Sequence, residues 1–62
     1  MKIKYKTYFS GWVYVNYETA LKIAIHMYKH AGNITIEKIN KRFDGVVFNE
    51  DVIRSGYSES LK

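Results

Sequence analysis

Two histidines, His26 and His30, stand four residues apart in "HMYKH". On a helix that spacing puts both imidazoles on one face, where they could offer two nitrogen ligands to a divalent metal. A zinc site needs a third ligand. The surrounding residues supply none, and Lys22 and Lys29 add charge that repels a cation. Histidines in the last turns of a helix have a simpler role, complementing its negative C-terminal end. No metal and no other cofactor is expected.

The remaining reactive residue types are no better placed. The chain has no Cys, which removes thiolate nucleophiles, disulfides and thiolate-bound metals together. No Gly-rich phosphate loop is present, and Ser10, Ser55, Ser58 and Ser60 lie in turn-like or terminal stretches, not in a nucleophile elbow. Asp44, Glu50 and Asp51 fall beside turn and helix-cap positions, where carboxylates have structural work. A chain of 62 residues also has little volume left for a substrate pocket. The expectation is a protein that is not an enzyme and acts by binding.

Binding chemistry is better represented. Lys2, Lys4 and Lys6 alternate along "KIKYKTYF", and Lys38, Lys41 and Arg42 form a second basic group. Ten Lys and Arg against six Asp and Glu give a net charge of +4, which favours acidic partners and also suits plain solubility. Aromatic residues make up 16% of the chain, enough to supply both a dense small core and interface anchors.

The elements that position these residues follow from four punctuating glycines: Gly11, Gly32, Gly45 and Gly56. "KIKYKTYFSGWVYVN" reads as a β-hairpin. A two-residue turn at Ser10-Gly11 sets Phe9 opposite Trp12 and Thr7 opposite Tyr14. Ile3, Tyr5, Phe9, Trp12 and Tyr14 then share the core face, and Lys2, Lys4, Lys6, Tyr8, Val13 and Val15 share the other. A longer loop would exchange these faces.

"NYETALKIAIHMYKHAG" reads as a helix capped by Asn16 and ended at Gly32. Its apolar arc, from Ala20 to Ala31, spans about 200°, wider than one sheet can cover, so the helix is expected to be enclosed from two directions. Residues 35–43 carry Ile36, Ile39 and Phe43 on one helical stripe; the alternative is a second hairpin turning at Asp44-Gly45. A short strand over 46–49 follows, then one capped turn in "NEDVIRSG" and a frayed tail over 57–62. The architecture expected is α+β in a single domain, 1–62: an N-terminal β-hairpin on one central helix, then a short helix or second hairpin and a short strand.

Two resemblances bear on role. Phe, Tyr, Met, Ile, Asn and Lys, the residues of AT-rich codons, supply 30 of 62 positions. In bulk composition the chain thus resembles small phage and mobile-element accessory proteins of low-GC Gram-positive bacteria. "HAGNITIEKINKRF" resembles the join between the first two helices of winged-helix domains, which implies a nucleic-acid-binding transcriptional regulator with "NEDVIRSG" as its reading helix. The sequence departs from that pattern in a long turn, Asp44–Phe48, in Asn40 where a small residue belongs, and in Glu50 and Asp51, which the phosphate backbone repels.

The favoured expectation is a phage- or plasmid-type regulator or inhibitor that occupies a surface of a host protein. Its partner-binding residues would be Tyr8, Val13 and Val15, with Lys2, Lys4 and Lys6 as a charged rim. The alternative is a nucleic-acid-binding regulator using Lys38, Lys41 and Arg42 with those lysines. Self-association as a homodimer is expected through the same half-apolar face. No apolar run spans a bilayer and "MKIKYKTYF" lacks a signal-peptide core, so a cytoplasmic product is expected.

Overall fold

The computed structural model describes residues 2–61. Its elements run β1 (Ile3–Lys6), β2 (Trp12–Val15), α1 (Tyr17–Ala31), α2 (Ile36–Asn40), β3 (Phe43–Asp44) and α3 (Glu50–Ser60). The fold is α+β: an antiparallel sheet in the order β2-β1-β3, opened by the N-terminal hairpin, with three helices.

The hairpin loop holds five residues, Thr7–Gly11, where a two-residue turn was expected. The Thr7 N–H donates to the Gly11 carbonyl at 2.8 Å. The Thr7 hydroxyl donates to that same carbonyl at 2.8 Å and accepts from the Ser10 N–H at 2.9 Å. A two-residue hairpin turn favours glycine or asparagine at its left-handed positions, and Ser10 is poorly suited to one. Thr7 instead closes a wider loop in which Gly11 alone takes positive φ, at 75°. The register is therefore Ile3↔Val15, Lys4↔Tyr14, Tyr5↔Val13 and Lys6↔Trp12. Every β2 side chain changes face relative to the expected pairing.

α1 begins where Asn16 Oδ1 accepts from the Thr19 N–H at 2.8 Å, with Glu18 in the positive first turn. Ala20 and Ala24 are fully buried, and these small side chains let neighbouring elements come close. β1 of the sheet packs on α1, and so do α2 and α3. The broad apolar arc is thus covered from two directions.

α2 forms as the apolar stripe implies, capped by Thr35 Oγ1 on the Lys38 N–H at 3.1 Å, but it ends at Asn40. The following strand is Phe43–Asp44 paired with β1, not 46–49. Asn40 explains the difference. Its Nδ2 donates to the Phe48 carbonyl and its Oδ1 accepts from the Phe48 N–H, each at 2.8 Å. One amide side chain thus satisfies the backbone groups that a neighbouring strand would have met. Gly45, at φ 96°, lies against the Lys2 carbonyl, where any Cβ would collide with backbone.

α3 corrects the expected frayed tail. Asn49 caps it through the Val52 N–H at 2.9 Å, Glu50 pairs with Arg54 at 2.8 Å, and the helix continues to Ser60. Tyr57 packs edge-on against Tyr28 of α1, with ring centroids 5.4 Å apart. Gly56 sits where α3 meets Ile25 of α1. Lys62, the last residue of that expected tail, lies outside the described residues. The core is small: Ile3, Ala20, Ala24, Ile39, Phe43, Phe48 and Ile53.

Candidate binding surface

Residues paired across an antiparallel sheet point to the same side. Ile3, Tyr5, Val13, Val15 and Phe43 therefore share the inner side, where Ile3 and Phe43 are buried. Lys4, Lys6, Trp12, Tyr14 and Asp44 share the outer side, over which no helix is packed among the main contacts of the fold. Trp12 is 47% exposed and Tyr14 66%. The ammonium groups of Lys2 and Lys4 lie 5.8 and 5.6 Å from the Tyr14 ring centre, within cation–π range.

This arrangement takes apart the expected patch of Tyr8, Val13 and Val15 inside a lysine rim. Val13 and Val15 face away from Lys4 and Lys6, because the five-residue loop shifts β2 by an odd number of residues. The lysines keep their side of the sheet. Their neighbours are Trp12 and Tyr14, residues that the two-residue turn had assigned to the core. The legible signal was the pair Thr7 and Ser10, whose hydroxyls can organise a wider loop.

The second basic group divides. Lys38 and Lys41 stay exposed at α2 and its end. Arg42 joins the sheet: its carbonyl accepts from the Lys6 N–H at 2.9 Å, and its guanidinium donates to the Lys6 carbonyl. The guanidinium also lies 4.1 Å from the ring centre of Tyr8, which is 77% exposed in the hairpin loop, and 5.7 Å from that of Tyr5. Lys2, Lys4 and Lys6 thus alternate along the outer side with Trp12 and Tyr14 beside them, whereas the Arg42 guanidinium and Tyr8 gather with Tyr5 at the loop end of the sheet, next to Ile23 and Met27 of α1. Phe9, at the loop tip, is 99% exposed.

The other candidates offer less. His26 and His30 stack with ring centroids 4.2 Å apart, and among the described residues no group of three His, Cys, Asp or Glu could hold a metal. The would-be reading helix, α3, opens with Glu50 and Asp51. Its Arg54 is already engaged: first Tyr28 and then Glu50 push this guanidinium above its ordinary value. Among the described residues no helix is long and apolar enough to cross a membrane.

Comparison with known proteins adds no relative. No protein family, no curated protein and no solved structure matches this chain.

Proposed function

We propose that the chain is a small non-catalytic binding module whose open sheet face engages single-stranded nucleic acid. The observation that carries this reading is the co-facial placement of Lys4 and Lys6 with Tyr14 and Trp12, together with Lys2 over the Tyr14 ring. Single strands are held by cations that follow the phosphates and by rings on which successive bases stack, each stacked base contributing about 1–3 kcal/mol. Lys2 and β1 supply the cations, and β2 supplies the rings. Occupying a nucleic acid in this way suits the regulator expected from the composition. A second reading, a regulator or inhibitor that occupies a host protein, is favoured by Phe9, a bare ring at the loop tip suited to a hydrophobic pocket.

Trp12 is the single tryptophan, so its fluorescence reports directly on the face. Titration with a short oligothymidine is expected to quench it. With Lys2, Lys4 and Lys6 engaged, log K should fall against log salt with a slope of about −2. Tyr14→Ala should weaken binding by roughly 5- to 150-fold, the equivalent of one lost stacking contact. Unchanged fluorescence and no binding at low salt would overturn the reading. A protein partner whose capture is lost in Phe9→Ala and insensitive to nuclease would replace it with the second.

A further inference from the structure

Among the described residues, the outer edge of β2 has no strand paired to it. Thr7 N–H bonds to the Gly11 carbonyl, so Thr7–Gly11 is a hydrogen-bonded pair of the hairpin. Alternation along an antiparallel ladder makes Tyr5–Val13 and Ile3–Val15 hydrogen-bonded pairs too, and Lys6–Trp12 and Lys4–Tyr14 the intervening kind. Lys6 agrees, since its N–H bonds to Arg42 on the opposite side. The N–H and C=O groups of Trp12 and Tyr14 therefore point out of the sheet at the β2 edge, which is the terminal strand.

Natural edges are blunted by charge, proline or a bulge. "WVYV" has none of these, and its residues are strong strand formers. The exposed large apolar side chains also concentrate here, with Phe9, Trp12, Val13, Tyr14 and Tyr17 among them.

We infer that β2 pairs antiparallel with β2 of a second copy of the chain, about a two-fold axis at Val13, joining two sheets into one of six strands. The argument for a second copy over any other strand is self-complementarity. About Val13, Trp12 of one chain stands opposite Tyr14 of the other, and those two residues carry the outward-pointing backbone groups. Each aromatic pair also lies on one face, since Trp12 and Tyr14 share the outer side. A shift of one residue would place the two inner faces on opposite sides of the joined sheet. Charge does not oppose the pairing. The lysines lie one strand in, so the two β1 strands are separated by three strand spacings, about 14 Å. That exceeds the screening length of about 8 Å at physiological salt.

The test needs no nucleic acid, and its failure would leave the proposed open face intact in a monomer. Sedimentation equilibrium from micromolar to millimolar protein should show the mass rising from one chain toward two. Over the same range, amide exchange at Trp12 and Tyr14 should slow, while the Val13 amide is slow throughout. Tyr14→Pro removes an outward N–H, a change that edge strands tolerate, and should hold the mass at one chain. Trp12→Lys adds the charge that guards natural edges and should do the same; it decides the matter if the proline variant does not fold. A one-chain mass at millimolar concentration overturns the inference. So does a dimer that persists in a folded variant, or one in which the Trp12 and Tyr14 amides exchange freely.

Discussion

Asn40 stands in for a missing strand. In the sequence it is only a polar residue that spoils a helix–turn–helix pattern. In the fold its amide meets both backbone groups of Phe48, eight residues on. Asn40→Ala leaves a partly buried N–H and C=O without partners, at a cost of about 2–4 kcal/mol. Urea titration should show this as a lower midpoint. Asn40→Asp keeps the acceptor and loses the donor, so it should fall between the two. Sequence could not reveal this contact, because the amide's partner is backbone and carries no residue signature. The caps were legible for the opposite reason: Asn16, Thr35 and Asn49 each bond an N–H three residues ahead, within one local stretch.

Among the elements, α3 shows packing overriding local preference. Ser55, Gly56, Ser58 and Ser60 are poor helix formers, yet the helix runs through them because one face lies on α1. Gly56 allows that approach. An alanine on a free helix surface would gain up to about 1 kcal/mol over glycine. Here its Cβ meets Ile25, so Gly56→Ala is expected to destabilise. In an Ile25→Ala background, where the obstructing atoms are gone, the same change should become stabilising by about 0.5–1 kcal/mol. A double-mutant cycle by urea denaturation measures that reversal of sign. A Gly56→Ala effect that is the same in both backgrounds would mean the two helices do not meet there.

At the scale of the whole molecule, the margin is thin. A chain of this length is expected to be stable by only about 3–9 kcal/mol. Ile53 is fully buried among seven core residues, and truncating such a side chain costs about 2–5 kcal/mol. Ile53→Ala should therefore show a populated unfolded fraction in dilute urea, with an unchanged denaturant slope, where the parent chain is folded. The sequence by itself determined the α+β class, the hairpin and α1 with its Asn16 cap, because periodicity and capping act over one or two turns of chain. Only the tertiary structure decided which face of β2 meets the lysines, where the third strand lies and how far the last helix runs. Those depend on the odd or even length of one loop and on contacts between residues distant in sequence. A shift of one residue there moves Trp12 and Tyr14 from the core to the surface on which the function is proposed to rest.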